Sequence, residues 1–163
     1  MANELFIGVA DMRVSNDPSA ILITYALGCC IGVSIYDPVA RVGGLLHFML
    51  PKAGVSKTRT AKAKKNPYMF ADTGVPLLFQ EAYKYGADKG RMVIKIAGGA
   101  QIKDSTGLNI GKQNYMALRE IFQENDVLIH KEDVGGNVPR TMGLDLDTGR
   151  VYIKVLGGKA REL

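Results

Sequence analysis

Two short apolar runs separated by a turn place the strongest constraint on the fold of this chain. CCIGVSIY, residues 29–36, and VGGLLHFML, residues 42–50, are rich in β-branched and apolar residues, and Asp37-Pro38 between them is a turn signal. Two strands joined by so short a turn form a β-hairpin. The hairpin brings Cys30 and His47 towards the same open end.

The rest of the sequence predicts further strands and two helices. Strands are predicted over 4–10, 20–27, 91–100, 127–134, 140–146 and 150–156, with a clear hairpin turn at Asp147-Thr148-Gly149. Apolar residues at helical spacing predict helices over 73–86 and 112–124. The order β-rich, α, β, α, β-rich favours an α+β layered fold over a doubly wound parallel sheet, and the length suits one domain, residues 1–163.

Signals at the ends of the first predicted helix are specific enough to test. Asp72 or Thr73 is expected to cap its N-terminus, Pro76 suits the first turn, and Gly86 can end it.

Composition favours a cytoplasmic protein without membrane insertion. No apolar stretch approaches the roughly 18–20 residues that span a bilayer, and the N-terminal segment MANELFIGVADMRV lacks the pattern of a signal peptide. In a reducing compartment a structural disulfide is not expected. The adjacency of Cys29 and Cys30 also disfavours a zinc site, because metal-binding pairs usually leave about two residues between cysteines.

Few residues remain that can carry chemistry. The chain has no Walker or GxGxxG pattern and no HExxH, and its acidic residues are scattered. A thiol, an imidazole and a hydroxyl are left, at Cys30, His47 and Thr24. Spacing alone leaves two interpretations open for Cys30 and His47, a nucleophile with its base or two core residues. His130, within VLIHKED, is predicted to be an ordinary strand residue.

The net charge of +5 is concentrated in one segment. No acidic residue lies between Asp37 and Asp72, whereas seven basic residues do: Arg41, Lys52, Lys57, Arg59, Lys62, Lys64 and Lys65. Residues 52–66 lack apolar periodicity and are predicted to form a mobile basic loop, either simply solvated or a docking surface for an acidic partner. Nucleic acid is not expected as a partner, because no aromatic residue in 52–65 can stack on bases.

The segment TYALGCCIGVSIYDPVARVGGLLHFMLP, residues 24–51, resembles the CheD family of chemoreceptor glutamine deamidases. IAGGAQI at 96–102, NIGKQN at 109–114 and DVGGNVPR at 133–140 extend the resemblance over nearly the whole chain. The resemblance implies Cys30 as nucleophile, His47 as its histidine and Thr24 as the third catalytic residue. Cys29 departs from the family pattern, which usually has serine before the nucleophile. Strand alternation predicts that its side chain points to the opposite face from that of Cys30.

The resemblance also implies a fold and an activity. The fold would be two packed mixed β-sheets flanked by helices, similar to the catalytic domains of cytotoxic necrotizing factors. The activity would be that of a protein-glutamine glutaminase acting on methyl-accepting chemoreceptors through a thioester, without a cofactor. A CheC-type phosphatase is implied as a second partner. The alternative is a chemotaxis adaptor that mainly binds such a phosphatase and has weak catalysis.

Overall fold

A computed structural model describes residues 3–102 and 107–163. Over these residues the chain forms ten β-strands, three α-helices and two short 3-10 helices, Pro67–Met69 and Lys89–Arg91. The strands are β1 (Asn3–Phe6), β2 (Asp11–Ser15), β3 (Ala20–Leu27), β4 (Ile31–Asp37), β5 (Val42–Phe48), β6 (Val93–Gly98), β7 (Lys131–Val134), β8 (Arg140–Asp145), β9 (Val151–Val155) and β10 (Arg161–Glu162). The helices are α1 (Lys57–Lys65), α2 (Ala71–Tyr83) and α3 (Ile110–Glu124).

The strands form two five-stranded mixed sheets, which confirms the predicted α+β layered fold. The first sheet has the order β1-β3-β8-β9-β10 and the second has the order β2-β5-β4-β6-β7. One apolar cluster joins the two sheets and includes Leu22 and Leu144 from the first and Leu45 from the second. A second cluster covers the other face of the second sheet, where Leu46 packs in a core shared with Leu78 of α2 and residues of α3. The second sheet is therefore buried on both faces.

The β4–β5 hairpin lies at the centre of this arrangement. All residues of both strands are buried, as the near-continuous apolar runs of the sequence suggest. The carboxylate of Asp37 accepts hydrogen bonds from the amides of Val39 and Ala40 in the turn, and from Asp88 and Arg91 beyond it. One buried acid thus stabilises the turn between the two strands.

The prediction of a mobile loop over residues 52–66 is wrong, because the segment contains α1. Ser56 Oγ accepts a hydrogen bond from the Arg59 amide at 3.1 Å and caps the helix. The basic residues of its last turn complement the negative end of the helix dipole, and Ala63 supplies a single buried anchor. Local capping and charge therefore form this helix without an apolar stripe.

Other predicted boundaries also shift. The strand predicted over 4–10 ends at Phe6, and β2 was not predicted. Helix α2 begins at Ala71, so Pro76 lies inside it, and neither predicted cap is used. Asp72 instead accepts from the Ala53 amide, and Thr73 donates to the Pro67 carbonyl. No helix in the described part of the chain is long and apolar enough to cross a membrane.

Asp37 predicts an acid-sensitive contribution to stability. Burial opposes its ionisation, but the hydrogen bonds from Arg91 and the amides of Asp88, Ala40 and Val39 outweigh burial and lower the pKa to about 2. Asp37→Asn should reduce the free energy of unfolding by about 1–3 kcal/mol at pH 7. The contribution is complete above the unfolded pKa of about 3.9 and is lost as pH falls to about 2.

Urea unfolding of both proteins, followed by circular dichroism at several pH values, measures this difference. It should be constant above about pH 5 and shrink towards pH 2. A difference that persists unchanged at pH 2 would mean that the charge of Asp37 does not stabilise the turn.

Candidate active site

A hydrogen bond between the two sheets holds the imidazole of His47. His47 lies on β5 of the second sheet and Thr24 on β3 of the first, and both side chains are fully buried. Thr24 Oγ1 lies 2.8 Å from His47 Nδ1 and 2.7 Å from the carbonyl oxygen of Ile7. The sequence predicted the first two residues as partners, and the structure brings them together. The carbonyl of Ile7 was not predicted.

These two contacts determine the tautomer of His47. A hydroxyl has one hydrogen to donate, and a carbonyl oxygen can only accept. The Thr24 hydroxyl therefore donates to Ile7, and Nδ1–H of His47 donates to Thr24 Oγ1. In the neutral ring Nε2 is then the unprotonated nitrogen with a free lone pair.

Nε2 of His47 is buried and has no hydrogen-bond partner among the described residues. Burial lowers the pKa of His47 to about 4, because the charged form loses hydration. The imidazole is therefore neutral at physiological pH, with an available basic nitrogen. Such an unsatisfied buried atom is uncommon in folded proteins and marks the place where a proton can be accepted.

Cys30 directly precedes β4, the strand that pairs with β5 and His47. Gly32 pairs with His47, and a Cβ on Gly32 would lie 2.8 Å from Met142 Sδ of the first sheet, so this face of the hairpin is turned to that sheet. Cys30 lies one residue before β4 and packs against the apolar cluster between the two sheets.

The turn before β4 differs from its predicted form. The strand begins at Ile31 and not at residue 29, so Cys29 and Cys30 lie in a bend to which strand alternation does not apply. Just upstream, Ala26 has φ 58° and the pairing of β3 with β8 shifts register after Thr24. A β-bulge of this kind redirects the chain and is often found near active sites.

The surroundings of Cys30 raise the pKa of its thiol to about 12. Burial is the largest cause, followed by the charge of the neighbouring Cys29 thiol and a hydrogen bond with it; the amide of Cys30 itself acts in the opposite direction. The two sulfurs are thus close enough to interact. The shifted pKa values of Cys30 and His47 keep both the thiol and the imidazole neutral in the resting protein.

Cys29 borders a small cavity beside the same turn. Its volume is about 170 Å³, and it is lined by Cys29, Ala100, Gln101, Ile102 and residues 108–111. The cavity gives solvent a route to one side of the turn that carries Cys30.

The second histidine makes structural hydrogen bonds but does not lie within a strand, contrary to the prediction. His130 lies just before β7, and its Nδ1 accepts a hydrogen bond from the Ile94 amide at 3.0 Å. Its own amide donates to the Ile94 carbonyl. Within residues 3–102 and 107–163, no group of three or more His, Cys, Asp or Glu side chains is arranged to hold a metal ion.

The two histidines should therefore have opposite tautomers. His47 carries its proton on Nδ1, whereas His130 must carry it on Nε2, because its Nδ1 accepts from Ile94. Long-range ¹H–¹⁵N spectra at pH 7.5 should show this difference directly. Thr24→Val should mix the tautomers of His47 only and leave His130 unchanged. Identical tautomers in the wild type would contradict the hydrogen-bond assignment at Thr24.

Comparison with known proteins identifies the family. Residues 49–155 match the family model described as CheD chemotactic sensory transduction. A probable chemoreceptor glutamine deamidase CheD of Syntrophus aciditrophicus is 50% identical over 161 residues, covering 98% of this chain and 99% of the relative. A probable chemoreceptor glutamine deamidase CheD of Solibacter usitatus is 45% identical over 161 residues, with 98% and 93% coverage. The resemblance drawn from the sequence is confirmed, and the chain belongs to the CheD family.

Proposed function

We propose that this protein hydrolyses the carboxamide of glutamine side chains on methyl-accepting chemoreceptors, with Cys30 as nucleophile, His47 as general base and Thr24 as the residue that orients it. The substrate class follows from the names of its relatives. One observation carries the chemistry. Nε2 of His47 is buried, has no hydrogen-bond partner among the described residues and is left unprotonated by the bond to Thr24, and Cys30 packs against the apolar cluster between the same two sheets.

The first step starts from a neutral pair. Since the pKa of Cys30 is raised and that of His47 is lowered, a standing thiolate–imidazolium pair is disfavoured. Nε2 takes the thiol proton as the sulfur attacks the carboxamide carbon. The imidazolium that forms donates from Nδ1 to Thr24 Oγ1, which still donates to the Ile7 carbonyl. Thr24 therefore stabilises the charged base as well as its orientation.

Backbone amides of the turn stabilise the oxyanion that develops on the substrate. The carbonyls of Gly28 and Cys29 accept hydrogen bonds from the Ala100 amide and the Asn114 side chain. In a trans peptide the N–H points away from the preceding carbonyl, so the amides of Cys29 and Cys30 face the other side of the turn. Each such donor typically contributes about 10²–10³ in rate.

The second half of the reaction releases ammonia and then glutamate. The protonated His47 gives its proton to the departing nitrogen as the C–N bond breaks, which leaves a thioester on Cys30. Nε2 next takes a proton from water, whose oxygen attacks the thioester and restores the thiol. Each cycle converts one neutral glutamine into an ionised glutamate. The change adds one negative charge to the receptor and creates a carboxylate that can be methylated.

A second function is favoured by one observation. A half-buried thiol with a raised pKa is also what an unreactive core cysteine shows. With slow chemistry, the protein would act mainly as an adaptor that binds a CheC-type phosphatase. Modification of the receptor distinguishes the two functions, because an adaptor leaves the receptor mass unchanged.

The nucleophile is tested by mass spectrometry of a receptor cytoplasmic fragment. Wild-type protein should add about one dalton per modified glutamine, which is the difference between NH₂ and OH. Cys30→Ala should abolish the gain, and His47→Gln should slow it by at least about 10²-fold. Cys29→Ser should retain most activity and serves as the matched control. Equal losses for the two cysteine variants would refute the assignment of the sulfur.

Helix α1 is proposed as the surface that docks the receptor. Lys57, Arg59, Lys62, Lys64 and Lys65 lie on its nine residues, without an acidic partner among the described residues. The helix follows the end of β5, which carries His47. At physiological salt the Debye length is about 8 Å, so these charges attract an acidic helix only at close range and collectively.

Paired charge reversals test the docking role of α1. Lys62→Glu with Lys64→Glu should raise KM for the receptor fragment severalfold and weaken its dependence on salt. Lys154→Glu with Lys159→Glu changes the net charge equally, on and near β9 of the other sheet, and should leave KM near the wild-type value. Hydrolysis of a small glutamine ester should not change in either variant. Equal KM effects from both pairs would mean that only overall charge matters.

A further inference from the structure

The turn that carries Cys30 is fixed by three consecutive carbonyls. Gly28 O accepts from the Ala100 amide at 2.8 Å, and Cys30 O accepts from the Gly99 amide at 2.9 Å. Cys29 O accepts from Asn114 Nδ2 at 2.9 Å. Two of the three donors are backbone groups of the segment after β6. The third is a side chain, which makes it the one donor that a substitution can remove cleanly.

Asn114 connects the turn to the strand that carries His47. Its Nδ2 also donates to the carbonyl of Met49 at 2.9 Å, one residue beyond β5. An amide NH₂ has two hydrogens, and both are used. One fully buried side chain on α3 therefore holds Cys29, next to the proposed nucleophile, and Met49, two residues after the proposed base.

The acceptor of the same amide shows why asparagine occupies this position. Asn114 Oδ1 is buried and has no hydrogen-bond partner among the described residues. Burial of an unpaired polar atom destabilises a fold. A leucine of similar size would avoid that loss but would leave the carbonyls of Cys29 and Met49 unpaired. The role of the side chain therefore lies in its two donated hydrogen bonds.

Glycines allow the backbone segments around Asn114 to approach closely, so that its side chain can reach the carbonyls of both Cys29 and Met49. Gly111 lies in the first turn of α3, and a Cβ there would lie 2.3 Å from the Ala100 carbonyl oxygen. Gly98 has φ 111°, and a Cβ there would lie 2.2 Å from the Cys30 carbonyl oxygen. Helix, glycine segment and turn approach each other to backbone contact. This gives a physical role to two motifs, IAGGAQI and NIGKQN, to which the sequence assigned none.

We propose that Asn114 is a positioning residue for the reaction, which sets the separation of the Cys30 thiol from His47 Nε2 by binding the turn and the end of β5 together. The inference rests on the proposed function of Cys30 and His47. Asn114 does not touch the reacting atoms; it acts through the backbone of Cys29 and Met49. A displacement of about 1 Å between reacting groups can cost roughly 10²-fold in rate.

The test compares Asn114→Leu with two controls. Asn125→Leu makes the same change at the far end of α3, where the side chain donates only to the Ile121 carbonyl of its own helix. Asp37→Asn lowers stability at the distant hairpin turn. We expect Asn114→Leu to lower kcat for the receptor fragment about 10²-fold with KM within twofold of wild type. Both controls should retain kcat within about twofold, whatever their melting temperatures.

A second readout does not depend on turnover. In a Cys29→Ser background, the rate at which iodoacetamide alkylates Cys30 measures how readily His47 accepts the proton of the Cys30 thiol. Asn114→Leu should reduce this rate and shift its pH dependence, whereas the controls should not. If the leucine variant does not fold, Asn114→Ser replaces it; serine has a single donor and should give an intermediate loss of kcat.

Two results would overturn the inference. One is a folded Asn114→Leu protein with wild-type kcat and alkylation rate. The other is a loss of kcat that merely follows melting temperature across Asn114→Leu and Asp37→Asn. Failure of the proposed function is recognised separately, because either the wild-type protein would then leave the receptor mass unchanged or Cys30→Ala would still deamidate the receptor.

Discussion

The contact between Thr24 and His47 crosses from one sheet to the other, and the chemistry of the site depends on it. Packing of the sheets excludes water from His47, which lowers its pKa to about 4. The same packing brings Thr24 and the Ile7 carbonyl close enough to select the tautomer. Neither strand could do this alone, since an isolated hairpin would leave the imidazole solvated and free to exchange tautomers. Packing of the two sheets therefore both buries the His47 imidazole and selects its tautomer.

The burial that keeps the proposed base, His47, neutral also keeps the proposed nucleophile, Cys30, protonated. A low-dielectric site disfavours both the imidazolium and the thiolate, so the pair rests in its neutral form. A neutral thiol is less readily oxidised or alkylated than a standing thiolate. In the proposed reaction, proton transfer from the Cys30 thiol must therefore accompany its attack on the substrate. This requires accurate placement of Sγ against Nε2 of His47. The requirement is stricter in this chain, because the position before Cys30 holds Cys29 where the family pattern has serine. The Cys29 thiol further raises the pKa of Cys30.

Structural features that depend on interactions close in sequence could be predicted from local sequence patterns. The β4–β5 hairpin followed from two apolar runs and the Asp37 turn, and its register pairs Gly32, two residues after Cys30, with His47. Strand β2 and helix α1 were missed because neither has strong apolar periodicity: β2 lies at a sheet edge with one buried residue, and α1 depends on its cap and one buried alanine. The role of Asn114 could not be predicted from spacing. Its partners lie 85 and 65 positions away, and only the packed fold brings them together.

Three glycines, at 98, 99 and 111, and the side-chain amide of Asn114 together hold the bend before β4 in place. A bend lacks the ladder of hydrogen bonds that fixes a strand, so each of its carbonyls needs a separate donor. Gly98 and Gly99 have positive φ and turn the backbone so that the Gly99 and Ala100 amides reach the bend. Gly111 lets α3 approach closely enough for Asn114 to supply the third donor. With its carbonyls held, the bend turns the N–H groups of Cys29 and Cys30 to its opposite side. Fixing the carbonyls on one side therefore also fixes the amides on the other, which are the donors that the proposed mechanism requires for a substrate oxygen.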